Sequence, residues 1–273
     1  MQKRFFIVMI TALLLVTGAC RKSDGGPAME EMPVQQEIEI KGDSMLYGLS
    51  CDGTTDSVVV IWPFSGDPVT LNCIEAKQAG RIIGKPQIGD WIGVMRNPED
   101  STEATMVINL DQLKGTWTYP VMPVMKDLQH MSKRMQKRMM ENMPDSVKET
   151  FFVPREYGFT LKRGHVAVPV GRVMRANSLE DDSPVQYPDV RNYKGWYMLN
   201  GKLILVSGER TVLAAANQKH EPDVLDTLQF EYMDEDSLIL VHHNMRYGFH
   251  RKANALEANA LATKAQAKQD MRK

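Results

Sequence analysis

The sequence predicts an all-β protein made of two successive antiparallel barrels, the second carrying a helical insertion. Three observations carry this. Short β-branched or aromatic runs alternate with polar residues at period two, as half-buried strands require. Turn signals separate them, the strongest being Asn200-Gly201. One stretch breaks the pattern, with Met122, Met125, Leu128, Met131, Met135, Met139 and Met143 recurring three or four apart. The hydrophobic share of 43% supports a packed core, and a formal charge of −1 offers no basic field for nucleic acid.

Lys3 and Arg4 precede an apolar run over residues 5–16, interrupted by Thr11, and Gly18-Ala19 stand before Cys20. These zones describe a secretory signal over residues 1–19. The run is too short for a membrane-spanning helix, which needs ~20 apolar residues. Small residues before a cysteine resemble the lipobox of bacterial acylated lipoproteins, with Thr17 where that box usually has leucine. The resemblance implies cleavage before Cys20, lipidation of Cys20 by palmitate-like chains, and a membrane-held position in the cell envelope. No aspartate follows Cys20 to suggest inner-membrane retention, so the outer membrane is expected. Residues 20–36 have no period and little apolar content, and form a flexible tether with a reach of about 20–24 Å.

Residues 37–110 predict a small barrel of OB or SH3-like type. Glu37-Ile38-Glu39-Ile40-Lys41 alternates, residues 57–62 are β-branched, and Asp52-Gly53 and residues 65–68 supply turns. Gly89-Asp90 leads into the run at 91–95, and residues 104–110 close the unit. Cys51 and Cys73 fall in this unit. In an oxidising compartment they are candidates for a disulfide, the alternative being two buried thiols on neighbouring strands.

Residues 111–252 predict a second, larger barrel. Gly115-Thr116-Trp117 opens it, then come runs at 157–161, 165–168, 196–199, 202–206, 228–232, 238–241 and 245–249. Seven or eight strands in up-and-down order suit a closed barrel, which removes exposed edges. The Gly-x-Trp start in this order resembles the lipocalins and the lipocalin-like bacterial lipoproteins. The resemblance implies that Gly115, Trp117 and Arg251 (or Arg246 in its place) close one end of the barrel and are structural.

The insertion at about 121–150 reads as a basic, methionine-rich amphipathic helix ending near Pro144. It could pack on the barrel wall, cover a barrel mouth as a lid, rest on anionic head groups, or offer Met122, Met125, His130 and Met131 to copper(I). Residues 253–273 form an alanine-rich tail, expected as an exposed helix or disordered.

No Gly-x-Ser-x-Gly elbow, Walker loop or His-Glu-x-x-His occurs, so no enzyme and no cofactor or metal is expected. Glu156 and His165 are the acid/base candidates that a barrel mouth could position. The expected role is binding of a small apolar or amphiphilic ligand by Phe159, Leu161, Tyr197, Phe230 and Tyr247, with Met131 and Met135 as lid residues. The rival is a solid barrel that binds an envelope protein. Labelled palmitate should enter the wild-type chain and not a Cys20→Ser variant, which should also leave the membrane fraction; equal labelling contradicts the anchor.

Overall fold

The computed structural model describes residues 41–126, 131–172, 185–208 and 222–270. The expected signal, Cys20, the tether, the strand start at 37–40 and His130 lie outside the described residues.

The first barrel contains β1 (Met45–Ser50), β2 (Val58–Pro63), β3 (Val69–Asn72), α1 (Ile74–Gln78), β4 (Ile82–Ile83), β5 (Trp91–Arg96) and β6 (Ala104–Asn109). Its sheet order is β3-β2-β1-β5-β6-β4. A parallel bridge between Asn72 and Glu103 brings β3 to β6, and α1 lies between β3 and the later strands. That is the OB arrangement. Val59, Ile61, Leu71, Ile92, Val94 and Val107 fill the inside.

Cys51 and Cys73 are free thiols, and the disulfide alternative is corrected. Cys51 N donates to Val60 O (2.8 Å) from one side of β2, and Cys73 N donates to Ser57 O (2.9 Å) from the other. With β2 between them they are two strand spacings apart sideways, roughly 9–10 Å, and three residues further apart along the strand, beyond the ~7 Å that a bridge tolerates. Cys73 is instead part of the barrel core.

The chain leaves the first barrel through α2 (Leu110–Leu113), capped by the Asn109 side chain, which accepts from Gln112 N at 2.9 Å. The second barrel follows, with β7 (Gly115–Val121), β9 (Arg155–Leu161), β10 (Ala167–Val170), β12 (Tyr193–Leu199), β13 (Lys202–Ser207), β14 (Val224–Met233), β15 (Ser237–His242) and β16 (Met245–Lys252). The order β10-β9-β7-β16-β15-β14-β13-β12 is antiparallel throughout, and a bridge from Val166 to Gly195 joins its two edges. The result is an eight-stranded up-and-down barrel, the lipocalin-like architecture expected. Asn200-Gly201 forms a tight turn with positive φ at both residues (48° and 75°), and His243-Asn244 forms another (47° and 62°).

One end of this barrel is sealed by the first. Ile83, Met106, Ile108, Leu110 and Leu113 share a continuous core with Trp117, Met198, Leu203, Met233 and Leu238. Met45, Tyr47, Trp91 and Met95, on the outer face of β1 and β5, pack against the same core. The Asn200 turn docks on the start of β1, its side chain accepting from Ser44 N at 2.9 Å while Asn200 N donates to Asp43 Oδ1 at 2.9 Å. Both barrels belong to one compact unit.

The insertion is not one helix. Met125 lies in β8 (Val124–Met125), which pairs with β11 (Val185–Gln186). The helical part is split into α3 (Lys133–Glu141) and α4 (Asp145–Phe151), because Pro144 has no amide hydrogen and starts a new helix rather than continuing the old one. Met131 and Met143 pack with Met125, Val185, Phe151 and Tyr187 in a small separate core, whereas Met135 is 56% exposed. The tail forms α5 (Ala255–Ala258) and α6 (Ala260–Asp270). Asn259 holds it in place, exchanging hydrogen bonds with the Glu156 backbone (2.8 and 2.9 Å), and Ala262 is buried while Leu256 and Leu261 are exposed.

Protein lacking Cys20 should show two free sulfhydryls on denaturation. When folded, Cys51 should react well before Cys73, because burial pushes the Cys73 thiol up, against the opposing pull of Lys77. A count of zero contradicts the two-thiol arrangement.

Candidate functional site

The second barrel has a closed end and an open end, and the alternation of side chains along each strand decides which residues enter it. Inward positions of β7 are Trp117 and Tyr119; of β9, Phe159 and Tyr157; of β16, Phe249 and Tyr247. The same parity on β14 and β15 places Leu228 then Asp226, and Leu240 then His242. On these five strands the closed end is apolar and the open end carries phenol, carboxylate or imidazole groups.

At the closed end Trp117 is fully buried, and Arg251 lies over it with the guanidinium carbon 4.1 Å from the ring centroid. The Trp117 indole donates to Leu113 O (2.8 Å). Arg251 donates to Lys114 O (2.9 Å), to Gln112 O and to Glu235 O. Burial holds the Arg251 guanidinium below its usual value, with Asp236 opposing. Gly115 has φ +132°, and a Cβ there would come within 2.5 Å of the Arg251 guanidinium, so this position admits no side chain without displacing Arg251.

At the open end a cavity of about 190 Å³ remains. Its walls are aromatic: Tyr119, Tyr157, Phe159, Tyr193, Tyr247 and Phe249. These rings brace one another edge-on, Tyr119 on Phe249 at 5.4 Å and Tyr193 on Phe159 at 5.9 Å. Asp226 enters from β14, buried, and pairs with Arg191 on the rim. His242 Nε2 stands 3.9 Å from the other oxygen of Asp226. Burial, reinforced by Asp226, pushes the Tyr193 phenol up to about 12, so it stays neutral at any physiological pH. Arg191 is raised chiefly by its hydrogen bond to Asp226. The segment after β11 is tied over this end: Tyr157 donates to Pro188 O (2.7 Å), Tyr187 donates to Val153 O, and Arg155 stacks on Tyr187 at 3.6 Å.

The residues expected to touch a ligand divide. Phe159 and Tyr247 line the cavity. Leu161 is fully buried in the solid part of the interior, and Phe230 packs against that core away from the cavity. Tyr197 alternates with buried Trp196 and Met198 on β12, so it belongs to the outer face. Met131 is held in the small core of the insertion and Met135 points to solvent, so neither lines the cavity. His165 lies in the turn beyond Leu161, at the far end from the mouth, with Nδ1 3.1 Å from Trp196 O. The structure adds Tyr119, Tyr157, Arg191, Tyr193, Asp226 and His242. Among the described residues no cluster of His, Cys, Asp or Glu could hold a metal ion.

No protein-family model matches the chain, and no curated protein does. Among solved structures, a lipocalin-like protein from Bacteroides thetaiotaomicron is similar, at 17% identity over 50% of this chain and 94% of that chain, with a TM-score of 0.27. A likeness that weak carries no argument about function.

Arg251→Ala should destabilise the protein by about 3 kcal/mol, since three carbonyls lose a charged donor. Arg251→Lys should recover little, because an ammonium cannot span three diverging acceptors while lying flat on an indole. Urea unfolding checks this, and wild-type stability in either variant contradicts it.

Proposed function

We propose that this protein is a lipid-anchored component of the bacterial cell envelope, held in the outer membrane through Cys20, whose second barrel binds one small amphiphilic ligand without chemical conversion. The observation that supports binding is the cavity at the open end, aromatic on its walls and polar at its rim. Eight-stranded barrels are either filled or hold a single small ligand. Here the closed end is filled by Trp117, Leu161, Leu203, Leu238 and neighbours, which confines any ligand to the open end.

Size then selects among ligands. A 150 Å³ protein cavity takes up benzene, so about 190 Å³ admits a molecule only slightly larger. A whole acyl chain does not fit within it, and pockets for drug-sized ligands are larger, ~300–1,000 Å³. A purely apolar ligand would strip water from Asp226, His242 and the phenol hydroxyls with nothing in return. The ligand therefore carries both an apolar body and a polar group.

A second reading has its own observation. Met135 and Met139 are exposed four residues apart on α3, and exposed apolar residues grouped on one helix suit a protein partner in the envelope. Native mass spectrometry of residues 21–273, exported to an oxidising compartment, should show added mass that is lost on denaturation. A clean mass, with no thermal shift from any of a set of small aromatic and aliphatic fragments, contradicts ligand binding and favours the partner reading.

A further inference from the structure

The cavity at the open end has a charge pattern as well as a shape. Among the described residues, two carboxylates, Asp226 and Asp189, line it against one guanidinium, that of Arg191. The two members of the Arg191–Asp226 pair are unequally placed. Asp226 is 8% exposed and Arg191 is 55% exposed. A buried carboxylate without a cation is costly, whereas a guanidinium already more than half in water loses little by swinging out. The pair is thus asymmetric: Asp226 requires a positive partner, but Arg191 does not require Asp226.

Aromatic rings line the same cavity as that carboxylate. Tyr119, Tyr157, Phe159, Tyr247 and Phe249 come from the adjacent strands β7, β9 and β16, and Tyr193 meets Phe159 from β12. Aromatic faces carry negative charge density and attract organic cations, and several rings around a small volume select quaternary or alkylated ammonium groups. Anions are disfavoured, since they would meet Asp226 and Asp189 while Arg191, the only guanidinium lining the cavity among the described residues, is already paired. Neutral molecules would leave the Asp226 pairing unchanged and gain only ring contacts.

We propose that the cavity takes a small organic ammonium ion, which sits among the tyrosine rings and replaces Arg191 as the cation on Asp226. Arg191 then acts as the resident stand-in: it keeps Asp226 compensated when the site is empty and moves to solvent when the ligand enters. This deepens the ligand-binding reading and rests on it.

The test uses three probes of nearly the same size and shape on residues 21–273, read by calorimetry: choline, its neutral carbon isostere dimethylbutanol, and the anion tert-butylacetate. Choline should bind at least about tenfold more tightly than the alcohol, the scale expected of a desolvated cation–π site, and the anion should be weakest. Arg191→Ala should tighten choline by about tenfold, because the ligand no longer competes with a resident cation. Asp226→Asn should remove the preference for choline while retaining the alcohol, and that retained binding shows that the cavity is still formed. Equal affinity for choline and the alcohol, stronger binding of the anion, or weaker choline binding in Arg191→Ala overturns the ammonium proposal and leaves a ligand site of another class. Binding of none of the three overturns it together with the ligand-binding reading.

Discussion

Three consecutive carbonyls, those of Gln112, Leu113 and Lys114, leave α2 with no partner in the helix, and two side chains of the second barrel take all three. The Trp117 indole donates to the middle one, and Arg251 donates to the two that flank it. Carbonyls at a helix end are costly to bury unpaired. Here they are paired by residues whose position depends on the barrel being closed, since Arg251 on β16 reaches Trp117 only when β16 and β7 are side by side, as their register Arg251↔Trp117 shows. Barrel closure and the connection between barrels are therefore one event. Gly115 makes room for it, as a side chain there would meet the guanidinium.

The rest of the architecture follows from that seal. With α2 fixed, the outer face of β1, β5 and β6 covers the closed end, and the two barrels share a core. Inside the second barrel, packing is complete from Trp117 up to Phe159 and Leu205, and it stops where the tyrosines begin. The gradient from apolar to polar along each strand decides what the barrel can hold. It leaves a shallow chamber at the open end rather than a deep one, and sets the buried carboxylate of Asp226 among rings. An acyl-chain carrier would need the lower interior that Leu161, Leu203 and Leu238 occupy.

Much of this was legible, and the failures have physical causes. The strands of the second barrel stood out because their outer faces are polar, so alternation survived. β1 was hidden because Met45 and Tyr47, on its outer face, pack against the second barrel, and a strand buried on both sides does not alternate. Leu228, Phe230 and Tyr232 suggested one inward face, but a bulge between Phe230 and Tyr232 turns the latter outward and sends Met233 into the core. A bulge between Tyr193 and Gly195 hid Tyr193 in the same way. Tyr119, Tyr157, Asp226 and His242 were accessible to period-two counting from Trp117, Phe159, Leu228 and Leu240, once those were taken as inward. The methionine spacing misled because Met125 and Met131 are apolar at helical intervals yet lie on a short strand and a loop.

Closure at Trp117 and Arg251 makes the two barrels one cooperative body. Native-state hydrogen exchange tests it most directly. Amides of β5 and β6 in the first barrel and of β13 and β15 in the second should exchange through a common opening, with the same free energy and the same denaturant dependence. If the first barrel's amides exchange through a separate opening at clearly lower free energy, the barrels are independent and the seal is not what holds the structure together.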